Sequence, residues 1–318
     1  MIERRTIRFE HEPLVGLEHP CFVASGAKDG PRLVLLGGIH GCEYSSIAAV
    51  IRFMNTLETS ELAGTITALP VASMQSFRAR TPFVVPQDGK NLNRCFPGSY
   101  EGSYAEVLAR SIFDELIAPA DALVDLHGGD MVEALQPFTL YDESRVEDPA
   151  RGMAVAFGLP YVVRQSAPGA APSGMTCSAA AAAGVPGIIA EAGGCGLLDE
   201  EAVGLLTTGV ENVLRQLGML PGEPEPALCP LQSVGRFLWL RSANEGWWDA
   251  AVKAGEEVVT SSVLGRVRNL YGDVLEEIHA PDDGVILFVT TSPAVSADGL
   301  LLGLGVDLEP VPARGGPA

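Results

Sequence analysis

Basic residues are scarce in this sequence of 318 residues, which has 21 lysines and arginines, 40 aspartates and glutamates, and a formal net charge of -19. Proteins that bind nucleic acid or an anionic membrane neutralise phosphates with clustered lysines and arginines, and no such cluster is visible here. The sequence therefore predicts neither kind of partner. The acidic excess either attracts cationic small molecules over long distances or only keeps the protein in solution.

Long apolar runs are also missing. No segment approaches the roughly 18 apolar residues that span a bilayer, and the first residues, MIERRTIRFEHEP, lack the apolar core of a secretory signal. The six cysteines form no C-x-x-C pair, which argues against a disulfide framework or a cysteine-rich zinc site and favours reduced thiols. We therefore expect a cytoplasmic protein.

The sequence does contain alternating buried strands and helices. The apolar run RLVLLGG (32–38) is typical of a strand covered on both faces, and SSIAAVIRFMNTL, which starts at Ser45, has helical spacing. Strand-like DALVDLHGG (121–129) and the alanine-rich helix and strand of CSAAAAAGVPGIIAEAGG (177–194) continue the alternation. This order predicts an α/β fold with a mostly parallel mixed sheet flanked by helices.

The composition changes at the proline-rich segment PGEPEPALCP (221–230). Beyond it, short strand-like runs such as GVILFVTT and GLLLGLG are separated by glycine and aspartate, a pattern typical of a small all-β unit. We therefore predict two domains, an α/β domain over residues 1–225 and a β domain over residues 226–318.

Two of the five histidines stand where a predicted strand ends. His40 lies in GGIHGCE shortly before Glu43, and His127 lies in VDLHGG. The neighbouring glycines allow sharp turns, so these side chains project into one crevice at the carboxyl ends of the strands, where open α/β sheets place their sites. Catalytic zinc ions commonly have three ligands of the histidine and carboxylate type and a fourth position for water. The sequence therefore predicts a zinc site made by His40, Glu43 and His127.

Four motifs in chain order, GGIHGCE, DGKNLNRCFPG, VDLHGG and GVPGIIAEAGG, resemble those of the succinylglutamate desuccinylase/aspartoacylase family. This family is a branch of the zinc carboxypeptidase superfamily, and the resemblance is in particular to its bacterial N-acyl-amino-acid deacylase-like members. It implies a zinc-carboxypeptidase-like fold, one Zn²⁺ per chain, and a C-terminal β domain that narrows the entrance to the site.

The resemblance also implies an amidohydrolase in which His40, Glu43 and His127 bind the zinc and Glu191 is the general base that activates the attacking water. The chemistry agrees independently, because amide hydrolysis at neutral pH needs a nucleophile stronger than ordinary water. A metal ion lowers the pKa of water toward about 7, and a carboxylate can then carry the proton to the leaving amine.

In NLNRCFPG the resemblance makes Asn93 and Arg94 the residues that hold a substrate carboxylate, which a guanidinium can bind through two parallel hydrogen bonds. The alternative for Arg94 is that it only ties the long loop to the sheet. The resemblance further implies that Arg80 is the arginine that polarises the scissile carbonyl, with Arg78 as the competing candidate. Asp125 either supports a metal ligand or caps a backbone group.

The charge of the predicted site bears on the substrate. Aspartoacylase-type members of the family carry an additional arginine shortly before the catalytic glutamate, where it holds a second substrate carboxylate. Here the stretch from Cys177 to Ala190 has no cationic residue, and an arginine occurs only further back, at Arg164. A second carboxylate would be buried without a partner, which is costly. We therefore predict removal of a small N-acyl group, acetyl, from a neutral or cationic amino acid or amine such as N-acetyl-diaminobutyrate.

Other functions compete with this prediction. The C-terminal half resembles biotinyl and lipoyl carrier domains, but Lys253 precedes a Gly-Glu strand start instead of occupying an attachment motif, and Lys28 and Lys90 lie elsewhere. A carboxypeptidase for short peptides would use the same zinc and general base, and a metal-free binding protein would require a decayed site. The sequence leaves open whether Tyr271 or His279 reaches the site and whether the chain forms a homo-oligomer.

Overall fold

The computed structural model describes residues 1–165 and 174–312. Helices are interspersed with strands up to residue 216, and the elements after that residue are all strands. The helices are α1 (Tyr44–Thr56), α2 (Met74–Ala79), α3 (Tyr104–Ile112), α4 (Glu147–Phe157), α5 (Thr176–Ala183) and α6 (Glu200–Gln216), with a 3-10 turn at Leu92–Arg94 and a π turn at Phe113–Ile117. The strands are β1 (Ile2–Ile7), β2 (His19–Ser25), β3 (Lys28–Leu36), β4 (Ala63–Leu69), β5 (Ala122–His127), β6 (Glu133–Leu135), β7 (Phe138–Asp142), β8 (Tyr161–Gln165), β9 (Gly187–Glu191), β10 (Gln232–Arg241), β11 (Gly246–Ala250), β12 (Glu257–Val258), β13 (Val263–Arg268), β14 (Val274–His279), β15 (Gly284–Thr290), β16 (Ala294–Val295) and β17 (Leu300–Pro310).

A large mixed sheet organises the molecule. Its strand order is β1-β2-β4-β3-β5-β9-β7-β8-β10-β17-β15-β12, with β6 paired to β15. The central strands β4, β3, β5 and β9 run parallel, whereas β7 pairs antiparallel to β9. The predicted α/β fold with a mixed sheet flanked by helices is therefore confirmed, and its parallel pairs lie in the middle of the sheet, whereas the strands at its two ends pair antiparallel.

Helices cover both faces of the central strands. Successive side chains of a strand point to opposite faces, and in β3 Leu35 packs into one hydrophobic cluster while Val34 packs into another. The Leu35 cluster includes Phe53 of α1 and Leu206 of α6, whereas the Val34 cluster includes Leu108 of α3. This explains why the apolar run of β3 is continuous instead of alternating.

The C-terminal strands divide between two sheets. Strands β10, β17, β15 and β12 extend the large sheet, because β10 pairs parallel to β8 and antiparallel to β17. Strands β14, β13, β11 and β16 form a separate four-stranded antiparallel sheet. Strands on the two sides of residue 226 are therefore hydrogen-bonded to each other, and the domain boundary at that residue stays a prediction. Residues 313–318 of the predicted β domain lie outside the described residues.

Within the described ranges, no helix combines the length and apolar character needed to cross a membrane.

Candidate metal and active site

The three predicted zinc ligands lie together at the carboxyl ends of two neighbouring parallel strands. His40 and Glu43 belong to the loop between β3 and α1, and His127 is the last residue of β5. One ligand atom from each of the three residues lies within 4.8 Å of the others, and all three residues are buried. The predicted ligands are therefore brought together by the parallel pairing of β3 with β5.

Both imidazole rings are oriented by a second contact on the side away from the cluster. His40 Nδ1 lies 2.6 Å from Glu43 Oε1, and its Nε2 lies 3.0 Å from Asn91 Oδ1. His127 Nδ1 lies 3.0 Å from Glu43 Oε2, and its Nε2 lies 3.0 Å from Asp125 Oδ2. Each Nε2 can donate its proton to the oxygen that it faces, which leaves the Nδ1 lone pair of each ring, on the Glu43 side, for a metal ion.

The residues present fit a zinc ion. Glu43 Oε2 is buried and has no hydrogen-bond partner among the described residues, although His127 Nδ1 is 3.0 Å away. Burial alone would raise the pKa of Glu43, but the charges of His127 and His40 outweigh it and lower the pKa to about 2, so the carboxylate is ionised as a metal ligand must be. Two imidazole nitrogens and one carboxylate oxygen match the three-ligand sets of catalytic zinc sites.

Glu191 lies next to this cluster. It is the last residue of β9 and stands directly opposite His127 in the parallel pairing of β5 with β9. Burial raises the pKa of Glu191 to about 8, an effect that the charge of His127 partly opposes. A carboxylate with a raised pKa holds a proton more readily than an ordinary one, as a general base requires.

The Gly-Gly pairs after His127 and after Glu191 allow two turns to pack against each other. Gly129 N donates to Gly193 O at 2.9 Å. A Cβ atom at Gly129 would lie 2.2 Å from the backbone oxygen of Glu133, and one at Gly194 would lie 2.4 Å from the same oxygen. No side chain can be accommodated at such distances, so the close approach of these turns requires glycine.

A cavity of about 450 Å³ opens beside the metal cluster and contains the predicted general base. Its described polar and charged lining residues are His40, Glu43, Asn91, Asn93, Arg94, His127, Glu133, Gln165, Glu191, Arg241, Thr290 and Ser296. Apolar lining comes from Phe83, Val132, Leu135, Phe138, Leu140, Met175, Ile189, Phe237, Trp239, Phe288, Ala294, Val295 and Leu300. The C-terminal strands β10 and β15 thus contribute one wall of the cavity.

Asn93 and Arg94, predicted to hold a substrate carboxylate, both line this cavity. Asn93 is buried, and its side-chain oxygen accepts a hydrogen bond from Thr176 N at 3.0 Å. Arg94 Nη1 donates to Asn93 O at 2.7 Å, and the guanidinium lies 5.7 Å from the centre of the Trp239 ring. These contacts hold the Arg94 guanidinium in a defined orientation at the cavity wall.

The other predicted residues lie away from the cavity. Arg80 caps α2 in a left-handed conformation with φ 54, and both Arg80 and Arg78 are exposed and absent from the described cavity lining. The role of Arg80 at the scissile carbonyl stays a prediction. Tyr271 and His279 are exposed on the small sheet and its turn, and neither is among the described lining residues.

Sequence reasoning missed several residues of the site, among them Asn91, Glu133 and Arg241. Asn91, which contacts His40, lies in the NLNR motif two residues before Asn93. Its place in a motif already assigned to the site could therefore have identified it. Glu133 and Arg241 line the cavity but belong to no motif. Their positions depend on strand pairing with distant parts of the chain, which leaves no local pattern.

Together, the mixed α/β sheet, the buried histidine and glutamate cluster and the adjacent glutamate are typical of metal-dependent hydrolases. Comparison with known proteins gives the family. The chain belongs to the succinylglutamate desuccinylase/aspartoacylase family, because the model of that family's catalytic domain matches residues 29–217 of the chain, which is more than half of it. The predicted family is therefore confirmed.

Individual relatives agree with this assignment. The N-alpha-acetyl-L-2,4-diaminobutyric acid deacetylase of Halomonas elongata is 29% identical over 268 residues, which are 81% of this chain and 77% of the relative. A product-bound structure of the ectoine utilization protein EutE (DoeB) from Ruegeria pomeroyi shares the fold, with a TM-score of 0.84, 24% identity and coverage of 96% and 95% of the two chains. A succinylglutamate desuccinylase/aspartoacylase from Rhodobacter sphaeroides has a TM-score of 0.80, 26% identity and coverage of 98% and 95%.

Proposed function

We propose that this protein is a zinc-dependent deacylase that removes a small N-acyl group, acetyl, from an amino acid or a related amine. The observation that carries the proposal is the buried set of His40, Glu43 and His127, with Glu191 opposite His127 in the sheet. One cavity thus contains both the candidate metal ligands and the glutamate that we propose as general base.

The proposed reaction assigns the proton transfers to Glu191. When bound, zinc supplies Lewis-acid polarisation of the scissile carbonyl and lowers the pKa of water toward about 7. Glu191 takes a proton from the attacking water and delivers it to the leaving amine, and burial, which raises the pKa of Glu191, favours its taking up that proton. Asp125 and Asn91 keep the two histidine rings oriented through their Nε2 atoms.

In this proposal Arg94 binds the substrate carboxylate, with Asn93 beside it. The guanidinium is held by the Asn93 carbonyl oxygen and stacked near Trp239, so little of its freedom remains to be lost when a carboxylate binds. None of the ion pairs among the described residues involves Arg94, which is consistent with a partner that arrives with the substrate.

The charges around the cavity favour a substrate without a second carboxylate. Arg164 does not line the cavity, and its Nε donates to Glu147 at 2.6 Å. Arg241 is exposed at the cavity and donates to Asp298 O at 2.6 Å. The relative from Halomonas elongata is named for a substrate with a free amine, and we propose the same type, an N-acetylated diamino acid, for this chain.

A release assay with zinc supplied tests the proposal on N-acetyl-2,4-diaminobutyrate, N-acetylaspartate, succinylglutamate and short peptides. We expect hydrolysis of the first to exceed that of the others. A preference for N-acetylaspartate or succinylglutamate would refute the charge argument and point to Arg241 as the partner of the second carboxylate. A preference for peptides would favour a carboxypeptidase, and no hydrolysis of any compound would refute the proposed function.

The proposal includes a cytoplasmic location and a small-molecule partner. All six cysteines are free thiols, which is consistent with a reducing compartment.

A further inference from the structure

A second glutamate, Glu133, lines the cavity from β6, close to the turns that follow His127 and Glu191. It begins β6, which pairs antiparallel to β15 with Glu133 opposite Thr290 and Leu135 opposite Phe288. Because alternate residues of paired strands share a face, these four side chains form one surface. All four line the cavity.

The backbone of Glu133 is firmly held, whereas its carboxylate is not. Glu133 N donates to Asp130 O at 3.1 Å, and Glu133 O accepts from Cys195 N at 2.9 Å. Across residues 1–165 and 174–312, no side chain or backbone group gives the Glu133 carboxylate a hydrogen bond or an ion pair. Thr290, opposite it in the ladder, donates its hydroxyl to Leu300 O at 2.8 Å instead.

The proposed hydrolytic chemistry assigns no step to this carboxylate. Glu191 stands opposite His127 at the metal cluster and is the proposed general base, whereas Glu133 belongs to the wall built with β15. Burial raises the pKa of Glu133 to about 8, and the charges of Glu191 and Glu43 add to that effect. A desolvated carboxylate surrounded by other carboxylates is stabilised when a cation is placed against it.

The arginines that line the cavity are already engaged. Arg94 is oriented by Asn93 and Trp239 for the substrate carboxylate, and Arg241 donates to the backbone of Asp298. Neither arginine forms an ion pair with Glu133, although Arg94 is close enough to feel its charge, so a cationic group of the substrate can pair with this carboxylate. The ring of Phe288, on the same surface, adds an aromatic neighbour of the kind that ammonium groups favour.

We propose that Glu133 binds the side-chain ammonium group of an N-acylated diamino acid and so selects cationic substrates over neutral ones of the same shape. This inference rests on the proposed deacylase function and adds to it the residue that reads the substrate's second amine. Arg94 and Glu133 together would recognise the carboxylate and the ammonium of one molecule.

The test compares Glu133→Gln with wild type on two substrates of equal length, N-acetyl-2,4-diaminobutyrate and N-acetylnorvaline, in which a methyl replaces the ammonium. Removing one partner of a desolvated charge pair is expected to lower the ratio of their kcat/KM values on the order of 10²-fold. Glu223→Gln is the matched control, because Glu223 is exposed and does not line the cavity; it should leave the ratio unchanged.

A measurement of ligand binding tests the role of Glu133 without relying on catalytic turnover. Free 2,4-diaminobutyrate should raise the melting temperature of the zinc-loaded wild type more than norvaline does, and Glu133→Gln should abolish that difference. Circular dichroism of the variant verifies its fold.

The outcomes are distinct. An unchanged substrate ratio together with an unchanged difference in melting temperature would overturn the role of Glu133. An equal loss on both substrates would also overturn it, since that result places Glu133 in a step common to both. If wild type hydrolyses neither substrate but Glu133→Gln still abolishes the difference in melting temperature, the ammonium site stands and the deacylase function fails.

Discussion

Asp125 Oδ2 lies 3.0 Å from His127 Nε2 and also accepts a hydrogen bond from the Thr176 hydroxyl at 2.5 Å. Both Asp125 and His127 are buried. The carboxylate is therefore oriented by a helix-terminal threonine and in turn orients the imidazole whose Nδ1 faces Glu43. Partners of this kind set the tautomer and the basicity of a metal-binding histidine.

Asp125→Asn should weaken zinc binding by about 10- to 100-fold, because an amide accepts the Nε2 proton less strongly than a carboxylate does. Competition with a chromogenic chelator measures the affinity. Asp29→Asn, at an exposed position, should bind zinc as the wild type does. An unchanged affinity in Asp125→Asn would show that Asp125 has no influence on the metal site.

His127→Ala should lose most of the zinc, since it removes one of the three ligands brought together at the strand ends. Elemental analysis of protein loaded with zinc and then desalted should give one zinc per chain for wild type. His279→Ala, which alters an exposed histidine outside the described cavity lining, should retain it. Full zinc content in His127→Ala would exclude His127 as a ligand.

Glu191→Gln should retain zinc and the fold but lower kcat on the order of 10²- to 10⁴-fold, the range credited to a positioned acid or base. The amide keeps the shape of the side chain and removes its ability to carry a proton. Steady-state kinetics with parallel zinc analysis separate the two effects. Near-normal turnover in this variant would contradict the proposed mechanism.

Gly129→Ala should destabilise the protein by about 1–3 kcal/mol, as overpacked sites do, because its Cβ would lie 2.2 Å from the backbone oxygen of Glu133. Gly204→Ala is the matched control: it lies in α6, where a Cβ meets nothing within 4 Å. Alanine there should stabilise the protein by about 0.5–1 kcal/mol. Urea denaturation measures both, and equal stability of the two variants would refute the packing argument.

The stability of the metal-free protein should depend on pH through Glu133. Burial, with the charges of Glu191 and Glu43, raises the pKa of Glu133 from 4.5 to about 8. The folded protein then keeps a proton that the unfolded chain releases, so this contribution to the free energy of unfolding falls as pH rises from about 4.5 to about 8. Urea titrations at pH 5 and pH 8 should show a smaller decrease for Glu133→Gln than for wild type. Identical decreases would contradict the raised pKa.

Much of the fold was accessible from local sequence patterns. The continuous apolar run of β3 indicated a strand buried on both faces, and Leu35 and Val34 do pack into separate clusters under different helices. His40 and His127 were recognisable because each follows such a strand and is flanked by glycine. Parallel strands end at the same edge of a sheet, so a local motif at each end was enough to predict that these side chains meet.

The sequence by itself determined the family, the α/β class and the set of candidate metal ligands, because each depends on short motifs and local periodicity. The tertiary structure alone decided which other residues share the cavity. Glu133 faces it because β6 pairs with β15, and Arg241 lines it because β10 joins the large sheet beside β8. The partner and register of a strand are set by contacts between segments far apart in the chain, which no local pattern of residues encodes.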